Sequence, residues 1–214
     1  MNARISPESP PRTQAERTAL SDARMLDAAV QLIVERGAEG TTLKEVGELA
    51  GYSRGLAGYR FGSKAQLFSF IVRSVGEEWL RELGQAVENK VGLDAILAAA
   101  DAHYHFVLEA ADRIRAFYIL WFISIGPDVE FKQVIAHVHE RRQKDVEDWI
   151  RRGVAEGKVR NDVDVRGIAD QFCAAIIGIV YQWLVAPDAD DSIKQLHEGL
   201  KQQMISALGK PERA

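Results

Sequence analysis

A chain of 214 residues, 47% apolar and with a formal net charge of -4, is long enough to bury one large core or two small ones. Its longest apolar stretches, Ala116 to Gly126 and Phe172 to Tyr181, fall short of the roughly 20 residues a bilayer demands, so a soluble protein is expected. Cys173 is the only cysteine, which excludes an internal disulfide and suits a reducing cytoplasm; in an apolar helical run it reads as a buried structural thiol.

No period-2 run of β-branched residues persists, and proline is rare after Pro11, so the expected fold is all-α. Residues 1–18 are polar, proline-bearing and without an apolar run, unlike a secretory signal. They read as a flexible arm, whose Arg4, Arg12 and Arg17 either lie along a minor groove or belong to an untethered tail. A first helix is expected from near Ser21 to Arg36, with Leu26, Ala29, Val30 and Ile33 on one stripe and Gly37 stopping it.

The next segment, TTLKEVGELAGYSRGLAGYRFGSKAQL from Thr41 to Leu67, carries the most information. Thr42 with Glu45, and Ser63 with Gln66, have the spacing of capping boxes and mark two helix starts. Leu43, Val46, Leu49 and Ala50 make a short apolar face, and Gly51 follows where a chain reversal needs positive φ. Ser53 is placed to cap a brief third helix that buries Ala57 and Phe61 and turns Arg54, Leu56, Gly58 and Tyr59 outward. From Leu49 to Gly76 the charged residues are Arg54, Arg60, Lys64 and Arg73, all basic. A strip of one sign in an acidic chain suits a polyphosphate partner, because each neutralised phosphate releases condensed counterions. Lys64 falls in the first turn after Ser63, where free backbone N–H groups also favour phosphate.

The stretch from Ala23 to Leu67 resembles the DNA-binding domain of the TetR (tetracycline-repressor-type) transcriptional regulators. The shared pattern is a leading amphipathic helix, a glycine, paired threonines, Ala50-Gly51-x-Ser53, the Tyr59-Arg60-Phe61 triplet and Ser63-Lys64. The resemblance implies a three-helix helix-turn-helix domain over residues 19–66, a helical effector-binding and dimerisation domain over 67–209, and a tail at 210–214. It further implies that Thr42 caps the second helix and touches phosphate. Arg54, Gly55, Leu56 and Tyr59 would lie on the recognition helix, with Arg60 at its end and Lys64 clamping the DNA backbone. Arg54 is the expected base reader, since its fork matches O6 and N7 of guanine, while Tyr59 positions. Ala57-Gly58 stands where many family members carry Leu-Tyr, so a usual tyrosine contact is absent.

After Ser63 a long helix continues through Leu67, Phe70, Ile71, Val75, Trp79 and Leu83. Further helices are expected over Leu93 to Ala111, around Phe117 to Ile125 before Pro127, and over Asp128 to Ala155. A last pair spans Val165 to Val185 and Ser192 to Leu208, separated by Pro187 and the acids around it. In that pair Ile168, Phe172, Ala175, Ile176, Ile179 and Trp183 form one stripe and Ile193, Leu196 and Leu200 another. Pairing with a second copy in a four-helix bundle is the expected use, against an intramolecular hairpin. A homodimer would present two recognition helices to an inverted repeat in double-stranded DNA. His103, His105, Phe106, Phe117, Tyr118, Trp121, Phe122, Phe172 and Tyr181 are candidate walls for a mostly apolar small-molecule effector.

The competing reading is an enzyme in which Asp101, His105 and Glu109, four apart on one helix face, bind a metal or run acid-base chemistry. A helical adaptor that does not bind DNA is a third. No HExxH, P-loop, dinucleotide fingerprint or nucleophile elbow is present. The reading adopted is a cytoplasmic, ligand-responsive DNA-binding regulator, by family analogy a repressor, with no catalytic residue, cofactor, metal or membrane partner.

Overall fold

The structure, a computed structural model, describes residues 13–126, 129–186 and 190–210. Among them every regular element is helical, in two compact units that divide between Ser63 and Lys64.

The first unit begins with α1 (Gln14–Arg36). It starts earlier than the periodicity predicts because Thr13 and Glu16 form a full capping box: Glu16 N–H donates to Thr13 Oγ1 (3.2 Å) and Thr13 N–H to Glu16 Oε2 (2.7 Å). Two orphan donors are thereby satisfied and the polar turn that follows is held helical. Residues 14–18 of the expected arm, Arg17 included, are therefore helix; Arg4 and Arg12 lie outside the described residues. At the other end Gly37 takes φ +75 and donates its N–H to Ile33 O (2.9 Å).

Helix α2 (Leu43–Leu49) buries Val46 and Gly47. Leu49, expected on its inner face, is 47% exposed. Gly47 takes its place because a Cβ there would stand 3.0 Å from Ser53 O and 3.6 Å from the Ala57 methyl, so this glycine sets the closeness of α2 to the next helix. Gly51 (φ +81) reverses the chain, and Tyr52 N–H closes the turn on Gly47 O at 2.9 Å. Helix α3 (Leu56–Phe61) follows and buries Ala57 and Phe61 as the spacing predicts.

The second unit holds α4 (Lys64–Val87), α5 (Gly92–Glu109), α6 (Ala111–Ile123), α7 (Val129–Ala155), α8 (Val165–Val185) and α9 (Asp190–Leu208). The alanine-rich α5 sits among the others, packing on α4, α6, α7 and α9. Its small side chains let neighbours approach closely, most tightly where Gly92 at its start meets Gly153 of α7. Ala110 (φ -109, ψ 34) breaks the helical run, so α6 begins six residues before Phe117. Pro127 and Pro187, read as stops, lie outside the described residues.

Helix α8 is long and apolar enough to cross a membrane by length and composition. Counting uninterrupted apolar runs missed this, because Arg166, Asp170, Gln171 and Gln182 divide it. In the fold it packs on α6, α7 and α9. The stripe assigned to a second copy is the one used for that packing: Phe172, Ile176, Ile179 and Trp183 of α8, and Ile193 and Leu200 of α9, are buried within the single chain. Only Ile168, Ala175 and Leu196 of that set keep partial exposure. An apolar stripe records burial and not the identity of the partner, which is why the sequence reading misplaced it.

Candidate nucleic-acid interface and ligand cavity

In the first unit, Thr42 caps α2 by accepting the Glu45 N–H at 3.2 Å and donates its hydroxyl to the Glu45 carboxylate at 2.7 Å. That bond, with Arg36 at 3.0 Å, holds the Glu45 carboxyl below its ordinary range. Thr42 thus fixes the start of α2 and remains exposed.

Arg54 and Gly55 are not on α3. They form the turn before it, since Leu56 N–H bonds Ser53 O (3.0 Å) and the N-cap is Gly55, with no side-chain cap. Ser53 therefore does not cap the helix as expected. Tyr59 points away from the unit at 90% exposure, and Leu56 is half-buried beside it.

The basic strip is less bare than its sequence window suggests. Arg54, with its side chain 74% exposed, pairs with Glu48 on α2. Arg60 makes a bidentate bond to Asp22 on α1, Nε to Oδ1 at 2.9 Å and Nη2 to Oδ2 at 2.7 Å. Asp22 raises the Arg60 pKa, and the fork pins α3 to α1. Arg60 thus ties α3 to α1 while its side chain stays 45% exposed. Both acids lie outside the Leu49–Gly76 window, so a linear charge count could not find them. Lys64 opens α4 in the second unit, with Nζ 5.7 Å from the centre of the Phe68 ring.

The second unit encloses a cavity of about 220 Å³ between α4, α5, α7 and α8. Trp79, Leu83, Ala99, Phe172 and Ile176 supply apolar wall, and His103, His139, Arg142 and Asp145 supply polar groups. Of the residues expected to bind a ligand, Phe172 and His103 line it. Phe117 and Tyr118 line a recess of about 10 Å³ that shares His103, Trp79, Gly76 and Arg142 with the main cavity. Trp121 stands behind Arg142, whose guanidinium lies 5.2 Å from the Trp121 ring and 5.3 Å from the Phe117 ring. Tyr181 is 55% exposed and its ring meets that of Phe122, centroids 6.0 Å apart.

His105 faces solvent on the opposite side of α5, beside Glu109, while Asp101 pairs with Lys201 at 2.7 Å. The face proposed for an enzyme is a solvated one, and no cluster of histidine, cysteine and acid suited to a metal occurs among the described residues. Sequence reasoning missed His139, Arg142, Asp145 and the pairing of His103 with a buried His197 (Nδ1 to Nε2, 3.0 Å). The signal available was weak: His103 and His197 are 94 residues apart, so only the packing of α5 on α9 reveals them. Burial, foremost, depresses both histidines and pushes the Cys173 thiol up to about 11.

A three-helix unit with a short outward helix after a glycine turn, followed by a six-helix body that holds a cavity, is a helix-turn-helix architecture. Residues 25–70 match the model of the tetR family of bacterial regulatory proteins. Over 191 residues the chain is 27% identical to the probable HTH-type transcriptional regulator ArpR of Pseudomonas putida, covering 84% of this chain and 88% of that one. It is 26% identical, at the same coverage, to the regulator TtgR of the same species. Among solved structures, a TetR-family regulator from Rhodococcus sp. superposes with a TM-score of 0.76 at 17% identity, covering 89% of this chain and all of that one. The SmeT–triclosan complex superposes with 0.72 at 22% identity, covering 90% and 93%. The head matches the tetR family of DNA-binding regulators, and over most of its length the chain is similar to transcriptional regulators of that type, which supports a DNA-binding regulator rather than an enzyme.

Proposed function

We propose that the protein is a cytoplasmic, homodimeric repressor that holds an inverted-repeat operator and is released from it by a mostly apolar small molecule bound in the cavity of the body. The observation that carries the DNA half is the outward surface of the head, where the 90%-exposed Tyr59 and the exposed Arg54 flank the start and middle of α3. An exposed ion pair such as Arg54–Glu48 is worth about 0–1 kcal/mol, so Arg54 can exchange Glu48 for a guanine edge at little cost. Gly55, Leu56 and Thr42 are assigned to the same approach, and Lys64 to the DNA backbone.

The ligand half is supported by the cavity and by what a related fold holds: SmeT was solved with triclosan. A ligand shifts the balance only if it favours the arrangement that does not bind DNA. The outward faces of α8 and α9 are assigned to the second copy. There the small Ala174, Gly178 and Gly199 and the exposed Tyr181, Val185 and Ile205 leave apolar and closely approachable surface.

Selection of bound sequences from random duplexes tests this directly. The expected product is an inverted repeat whose affinity falls steeply with added salt, drops tenfold or more with Arg54→Ala, and is lost with a monomer-forming Val185→Glu. Absence of any enriched sequence, or of a dimer at micromolar concentration, would overturn it.

A further inference from the structure

Three groups meet at the recess shared by the cavity: His103, Tyr118 and Arg142. Their hydrogen-bonding roles follow from a chain of contacts that ends on the backbone. His197 Nδ1 lies 2.8 Å from Ile193 O; a carbonyl only accepts, so Nδ1 carries the proton and His197 Nε2, in the neutral ring, is an acceptor. His103 Nδ1, 3.0 Å from that acceptor, must then be the donor. His103 Nε2 is left as a lone pair, and no partner among the described residues bonds it. Burial keeps the His103 ring neutral, so this nitrogen does not become a donor near neutral pH.

The other two groups donate. Arg142 stacks on Phe117 and Trp121 and gives Nη1–H to Tyr118 Oη at a long 3.4 Å. No carboxylate pairs with it among the described residues. Tyr118 Oη accepts that bond and keeps its own proton to give. The recess therefore offers donors from Arg142 and Tyr118 and one acceptor from His103, in about 10 Å³, the scale of a single oxygen. A carboxylate would satisfy the donors but set its lone pairs against His103 Nε2. An ammonium would meet the Arg142 charge with its own. An apolar group would leave polar atoms of the recess without partners, which is unfavourable.

We propose that the effector is a compact apolar molecule bearing a hydroxyl, a phenol being the best fit to the aromatic walls, whose O–H donates to His103 Nε2 while its oxygen accepts from Arg142 and Tyr118. This rests on the ligand reading above and names the chemistry of that site. A matched series separates the two claims: 4-butylphenol offers donor and acceptor, 4-butylanisole an acceptor alone, 4-butylbenzoate an anion and 4-butylaniline a nitrogen donor. Binding to the full-length protein is followed by titration calorimetry, and release of a selected duplex by fluorescence anisotropy.

The phenol should bind at least tenfold more tightly than the anisole, and this preference should vanish in His103→Leu and weaken in Arg142→Met. His103→Gln, which keeps an acceptor, should retain part of it. His197→Leu keeps the His103 ring but frees its tautomer, and should reduce the preference without emptying the main cavity. Circular dichroism and duplex binding establish that each variant is folded. Equal affinity for phenol and anisole, or tighter binding of the benzoate, overturns the hydroxyl assignment while the ligand cavity stands. If none of the four binds or releases DNA, the assignment and the ligand reading fall together.

Discussion

Gly58 sits in the middle of α3 on its half-buried side, and a methyl group there would meet nothing within 4 Å. Helix propensity alone then makes Gly58→Ala stabilising by about 1 kcal/mol, which urea unfolding would register as a higher midpoint at unchanged slope. The same variant reads the DNA-facing side. Lower affinity for the selected duplex is expected, because the missing side chain leaves room for the DNA backbone beside Tyr59; unchanged affinity would show that the duplex does not come that close. This residue was legible in the sequence as a departure from its family, as were the burial of Ala57 and Phe61 and the reversal at Gly51. The roles of Arg54 and Arg60 were only half legible. Their acids, Glu48 and Asp22, are brought in by the turn after α2 and by the packing of α3 on α1, and a charge count along the chain has no access to either.

Among the elements, the body shows where periodicity succeeds and where it stops. Helix α8 has the bounds its spacing predicts, Val165–Val185, because one broad stripe, a stop before it and a break after it all agree. The stripe's partner was misassigned, since hydrophobic spacing is identical whether the covering helix comes from the same chain or another. The start of α1 was missed for the opposite reason: Thr13 and Glu16 specify it by caps and not by apolar spacing. The closest approach of two elements is equally invisible to periodicity. Where α5 begins, Gly92 (φ +58) lies against Gly153 of α7, so that a Cβ on Gly153 would collide with the Gly92 Cα and the Val159 side chain. Backbone cannot move aside as a side-chain tip can. Gly153→Ala should therefore destabilise the body by about 1–3 kcal/mol, seen as a lower thermal midpoint with the head's own helical signal retained.

For the whole molecule, the two buried histidines predict a stability that depends on pH. His103 of α5 faces His197 of α9, Arg142 of α7 and the Trp79 ring of α4; His197 faces Asp101 of α5 with Glu198 and Lys201 on its own helix. Burial, first among the causes, lowers both pKa values in the folded state, whereas in the unfolded chain each titrates near about 6.5. The unfolded state therefore binds more protons below that value. The stabilisation is present above it and is lost as pH falls through it. Urea unfolding at pH 7.5 and 5.5 should differ by roughly 1–3 kcal/mol, the slope being up to about 1.4 kcal/mol per pH unit for each histidine. His197→Leu should roughly halve the difference, leaving the share of His103.

The Arg54–Glu48 pair has a bearing on how such a molecule finds its place in a genome. A stretch of DNA that offers Arg54 only phosphates exchanges one anion for another, and the swap releases little. A guanine at the right step offers two acceptors to the fork, a match Glu48 on its neighbouring helix must yield to. If Arg54 reads the base as proposed, the acid would thin out sticky, sequence-blind encounters and lengthen only the stop at the matching step. Glu48→Gln should accordingly tighten binding to random duplex more than to the selected one, narrowing the ratio between them; an equal gain on both would mean the carboxylate repels DNA in general and plays no part in discrimination.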